Sequence, residues 1–220
     1  MIFENREEAA RLLAARLAAY SGKQPLVLAI PRGAVPMGRI VADALGGDLD
    51  VVLVRKLRAP DNPELAIGSI DESGRVHLEP RMRDLWSREY LEGEERLQLE
   101  TLRQRREMYS SARPPTDPAG RTVIVLDDGI ATGSTMIAAL RAVRARQPAR
   151  LIAATAVAAP ETLRRLAREA DEIVCLDAPE MLWAIGNCFR DFAQVTDEEA
   201  VAALRVESGV RSGRASRPRP

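Results

Sequence analysis

The sequence predicts an α/β fold, a central mostly parallel sheet flanked by helices, with an inserted hairpin and long helix. Three observations lead there. Short continuous apolar runs recur at 26–30, 51–54, 122–126, 151–157 and 172–176, the signature of strands buried on both faces. Stretches with helical apolar spacing alternate with them, and strand, turn, helix, strand is the parallel crossover unit. Turn-forming residues, such as Pro31-Arg32-Gly33 and Thr132-Gly133, punctuate the joints.

In chain order, Leu12, Leu13, Leu17 and Ala18 recur among charges from Arg6 to Tyr20 and Gly22 follows as a stop, so the chain opens on a helix. Glu4, Glu7 and Glu8 break the apolar stretch that a signal peptide needs, and this segment reads as structure. Strand 26–30, the turn, a helix from Val35 to Leu45 and strand Val51–Val54 make the first crossover unit. Beyond Arg55-Lys56 the alternation lapses over about 57–115. Apolar pieces at 67–70 and 76–78 flank Asp71-Glu72-Ser73-Gly74, which predicts a hairpin; 81–109 then predicts an amphipathic helix with a solvated charged face. After Pro114-Pro115-Thr116-Asp117-Pro118, the strand at 122–126 resumes the alternation, with helices at 134–146 and 161–169. Residues 1–204 thus read as one domain, and 205–220 as an Arg/Ser/Pro-rich disordered tail with almost nothing to bury.

Thirty-two basic and 32 acidic side chains cancel to +0 over 220 residues, so no global field recruits nucleic acid or an anionic membrane. No 18-residue apolar run is present. Two cysteines, Cys175 and Cys188, cannot build a disulfide framework, and one histidine leaves no histidine-rich metal centre; the expected compartment is the cytoplasm. His77, beside the hairpin, reads as a surface residue, and the cysteines as small buried hydrophobes.

The chemistry concentrates in Val123 to Thr135. An apolar strand delivers Asp127 and Asp128 to its C-terminal edge, and Ala131-Thr132-Gly133-Ser134-Thr135 then opens a helix whose N-terminus offers free N–H groups and a positive dipole end. Such a loop holds a phosphate. The aspartates would repel that phosphate, so they face something polar beside it, ribose hydroxyls or a magnesium shell. The Walker lysine and the GxGxxG spacing are both absent.

This order resembles the PRPP-binding motif of the type I phosphoribosyltransferases, which would make the fold that family's, with a hood at about 178–195. The resemblance implies that Asp127 and Asp128 hold the ribose of 5-phosphoribosyl 1-pyrophosphate (PRPP) and Ala131 to Thr135 its 5-phosphate. Arg32-Gly33-Ala34 resembles the family's pyrophosphate loop, with an unusual cis peptide expected at Arg32–Gly33. Arg55-Lys56 resembles the basic pair that adenine and orotate enzymes place before a mobile loop, on pyrophosphate. In the hood, Trp183 and Phe192 are the expected base-stacking residues, while Phe189 reads as packing. Ala131, where oxopurine enzymes carry an aspartate, disfavours hypoxanthine or guanine.

The expected function is transfer of the phosphoribosyl group from PRPP to a small-molecule base with release of pyrophosphate, assisted by Mg2+, with Arg55, Lys56 and Asp128 catalytic. Glu64, Asp71 and Glu72 are candidates for the acid or base. Family analogy suggests a homodimer; no specific nucleic acid and no membrane are expected as partners. The alternative is a PRPP-sensing regulator on the same fold.

Overall fold

The computed structural model describes residues 1–79, 81–82 and 85–205; the Glu64 side chain and the expected disordered tail from 206 lie outside the described residues. In chain order the elements are α1 (Arg6–Arg16), β1 (Leu26–Ala29), α2 (Ala34–Leu45), β2 (Asp48–Val51), β3 (Val54–Ala59), β4 (Asn62–Asp71) and β5 (Val76–Leu78). There follow α3 (Arg88–Ser110), β6 (Thr122–Asp127), α4 (Ser134–Arg144), β7 (Arg150–Val157), α5 (Pro160–Leu166), β8 (Glu172–Asp177) and α6 (Asp197–Leu204). Five strands form a wholly parallel sheet in the order β2-β1-β6-β7-β8, and β3-β4-β5 form a separate antiparallel sheet.

Period-two alternation divides the core between the two faces of the parallel sheet. Val27, Ala29, Ile124, Leu126 and Ile152 pack with α1 and α2 on one side. Leu26, Leu28, Val123, Val125 and Leu151 pack with α4 and α5 on the other. Each such fully buried Leu, Ile or Val stabilises the fold by about 1.5–3 kcal/mol. The continuous apolar runs exist because helices cover both faces.

Two sequence expectations shift. The second core strand is Asp48–Val51, not 51–54, since Leu26 pairs with Asp48 and Ala29 with Val51. Arginines make those acids tolerable there: Arg113 and Arg121 bind Asp48, while Arg106 and the Thr116 N–H bind Asp50. The long helix begins at Arg88, where the Ser87 hydroxyl accepts from the Tyr90 N–H as N-cap. One further helix, α6, opens on a capping box in which Thr196 and Glu199 bond reciprocally.

Candidate active site

Neighbouring β1 and β6 send their crossover helices to opposite faces, α2 with the first core half and α4 with the second. The loops after them therefore diverge and open a crevice at the C-terminal edge, the place where open α/β sheets take ligands. Both predicted motif loops, 31–33 and 128–133, lie at this point.

In the first loop a non-proline cis peptide lies at Pro31–Arg32, one bond before the expected Arg32–Gly33. Gly33 already has helical φ and ψ of −54° and −35°, and the Val35 N–H donates to the Arg32 carbonyl, so the Arg32–Gly33 peptide belongs to the first turn of α2. Gly33 touches the second loop: a Cβ there would run into Asp128 Oδ2 and lie 3.1 Å from Arg6 Nη2. The Arg32 side chain turns toward Asp197 at the start of α6, 3.5 Å away, so the loop presents backbone to the crevice. Ala34 is fully buried.

Asp127 and Asp128 end β6, with Asp127 Oδ1 accepting from the Asp128 N–H at 2.9 Å. Burial and the neighbouring Asp128 charge push the Asp127 carboxyl well above the usual range. Asp128 is held by Arg6, whose Nε donates to Oδ2 at 2.8 Å with both side chains 15% exposed. Ahead of α4, Gly133 adopts φ +80° as N-cap. Thr162 Oγ1 donates to the Ala131 carbonyl and Arg165 Nη1 to that of Thr132, while the Thr132 and Ser134 hydroxyls share a 2.8 Å bond. The loop's carbonyls are thus anchored to α5, and the N–H groups of the first helical turn are left as its free donors.

Arg6 is a residue that sequence reasoning passed over. It lies 122 positions from Asp128, inside a run of alternating charges, and no local signal separates it from a solvated helix face. Besides Asp128 it binds the Ala193 carbonyl through Nη1 at 2.7 Å and stands 3.7 Å above the centre of the Phe192 ring. Phe3 and Glu4 just before it pair with the hood: Phe3 N–H donates to Cys188, Arg190 to Phe3 and Asp191 to Glu4. Phe192 also stacks on Phe189 at 4.8 Å. With both neighbours against it, Phe192 packs the hood onto α1, where a base-stacking residue was expected. Trp183 is 84% exposed with its ring free.

The structure parts the basic pair. Both residues lie in β3, where consecutive side chains point to opposite faces. Arg55 Nε donates to Gln98 on α3. Lys56 instead lines a cavity against α4 with Ser134, Arg141 and His77. In this structure the two side chains thus lie on opposite faces of β3. Asp71 bonds within its own hairpin turn and Glu72 is bound by Arg106. A cavity of about 500 Å³ lies between that turn, Arg106 and the C-terminal half of α4.

A family model described as phosphoribosyl transferase domain matches residues 1–188. Proteins from two Mycobacterium tuberculosis strains, whose names place them provisionally among the phosphoribosyl transferases, are 40% identical over 205 residues. That match takes in 92% of this chain and 46% of each of theirs, so the chain spans about half the length of these relatives. The crystal structure of TT1426 from Thermus thermophilus superposes with a TM-score of 0.84 at 44% identity, covering 93% of this chain and 98% of that one.

Proposed function

Because the chain belongs to the phosphoribosyl transferase family, we propose that it moves the 5-phosphoribosyl group of PRPP onto a nitrogen of a base-like acceptor. The observation that carries this reading is the meeting of two loops at the switch point, with side-chain-free Gly33 against the Asp128 carboxylate. A small backbone-rich turn, a carboxylate pair and a helix-opening loop then face one crevice. That set suits a diphosphate, a sugar's hydroxyls and a terminal phosphate in turn.

In the proposed reaction the C1–O bond to pyrophosphate breaks and a C1–N bond to the acceptor forms, with the acceptor's N–H proton passing to solvent and the electron pair leaving on pyrophosphate. The N–H groups of Thr132 to Thr135 hold the 5-phosphate. Asp127 and Asp128 accept from the ribose hydroxyls, which requires Arg6 to share the Asp128 carboxylate or withdraw from it. Residues 32–34 contribute backbone to pyrophosphate, and Trp183 stacks on the acceptor. Rate enhancement on this reading comes from positioning and charge stabilisation.

The donor set suits Mg2+, an ion commonly held by one or two carboxylates with substrate phosphates and water. Among the described residues no group of three or more His, Cys, Asp or Glu could hold a metal ion. Asp127 and Asp128 would hold it together with the substrate, and bound there it would neutralise charge on the departing pyrophosphate. A homodimer is the proposed assembly, and no described helix is long and apolar enough to cross a membrane.

The test is calorimetric titration with PRPP, with and without Mg2+, followed by pyrophosphate release against purines, pyrimidines, nicotinate and orotate. Magnesium-dependent binding plus release with one base is the expected result. Binding without release from any acceptor would favour a PRPP sensor, and absence of binding would refute the site.

A further inference from the structure

Between the small sheet and α4 lies a second cavity, of about 240 Å³, that the proposed reaction does not use. Its floor is a transverse row. Lys56 pairs with Ser69 and Ser69 with His77, so the three stand side by side across β3, β4 and β5 on one face. Opposite them lie Ser134 and Arg141 of α4, with Arg165 of α5 at the edge.

His77 lines this cavity as a residue, and its Nε2 is buried without a hydrogen-bond partner. Lys56 has no ion-pair or hydrogen-bond partner among the described residues. Arg165 uses Nη1 on Thr132 and keeps Nη2; Arg141 uses Nε and Nη2 on Glu169 and keeps Nη1. Three cations face one lining carboxylate, that of Glu79.

We propose that this cavity is an oxyanion site for a second phosphate group, adjoining the sugar-phosphate loop at Ser134 and bridging the inserted sheet to α4. Donors dominate its lining: the Lys56 ammonium, the Ser69 and Ser134 hydroxyls, an imidazole N–H and the spare guanidinium N–H groups match the acceptor-only surface of a phosphate. The inference stands whether or not the proposed reaction does. The ligand is a free phosphate or the phosphate end of a nucleotide.

His77 is the chain's only histidine, so its ring gives a single set of imidazole signals in a proton–carbon correlation spectrum. Inorganic phosphate, AMP and chloride are titrated at fixed pH and ionic strength. Saturable movement of the His77 signals with phosphate or AMP, but not chloride, is expected, the tighter of the two naming the source. Lys56→Ala should weaken it at least about tenfold, and Ser69→Ala should weaken it less. Asp128→Asn, which removes a carboxylate from the sugar site, should leave it unchanged while PRPP titration loses its heat. Non-saturating movement, an equal response to chloride, or wild-type affinity in Lys56→Ala would overturn the proposal. So would loss of the response in Asp128→Asn, which would assign the anion to the sugar site.

Discussion

Asp127 sits where ligand binding and stability pull against each other. Its carboxyl is raised by burial and by Asp128, so the native protein keeps a proton that the unfolded chain has released. Stability therefore falls as pH climbs from the ordinary carboxylate range through the raised value, and the penalty is complete above it. Asp127→Asn should raise Tm at pH 8, by about 2–4 °C for each 1 kcal/mol relieved, and abolish PRPP binding; calorimetric scans at pH 5 and 8 read both effects. A lower Tm at pH 8 would contradict the assignment. Arg6 works in the other sense. Arg6→Gln leaves Asp128 without its cation and Phe192 without its guanidinium, and should cost about 1–3 kcal/mol in denaturant melts. The loss should shrink in the Arg6→Gln/Asp128→Asn double variant, and strict additivity would argue against a coupled pair. The two aspartates were legible in the sequence because a strand end followed by a small-residue loop is a local pattern. Arg6 was not, because only folding brings α1 to the edge of β6.

At the scale of elements, α3 is more than the solvated helix its charges suggest. Arg106 donates to Glu72 in the hairpin turn, to Asp50 in β2 and to the Val51 carbonyl, tying insert and parallel sheet together. Arg106→Ala strands Asp50, which is 2% exposed, and should cost about 3–5 kcal/mol in chemical denaturation. A loss below about 1 kcal/mol would mean that the clamp carries little. Beside it, burial alone would raise Asp48, but hydrogen bonds from Arg113 and Arg121 hold its carboxyl below the usual range. That contribution is present above the unfolded carboxylate's value and is lost as pH falls through the folded one. Asp48→Asn should accordingly lower Tm at pH 7, by an amount that shrinks as the pH falls through the folded carboxyl's lowered value. Apolar runs located four of the five core strands to within a residue or two. They misplaced β2 by three, because its two aspartates look like loop residues until the arginines of 106–121 arrive to pair them.

For the molecule as a whole, ligand binding on the proposed reading should stabilise the fold by mass action. PRPP at 100 times its dissociation constant contributes about 2.7 kcal/mol, a Tm rise of roughly 5–10 °C for a domain of this size. Asp128→Asn should fold and show no such rise in thermal-shift measurements; an equal rise would place the ligand elsewhere. Sequence alone determined the alternation of strands and helices, the parallel sheet that follows from it, and the Asp127 to Thr135 segment, since each depends on residues that are neighbours in the chain. The tertiary structure decided which distant groups meet. It set Arg6 on Asp128 and Phe192, sent Arg55 and Lys56 to opposite faces of one strand, and turned His77 from an expected surface residue into the wall of a cavity. Those outcomes depend on how helices and sheets dock, and docking is governed by side chains tens to more than a hundred positions apart, which no local pattern records.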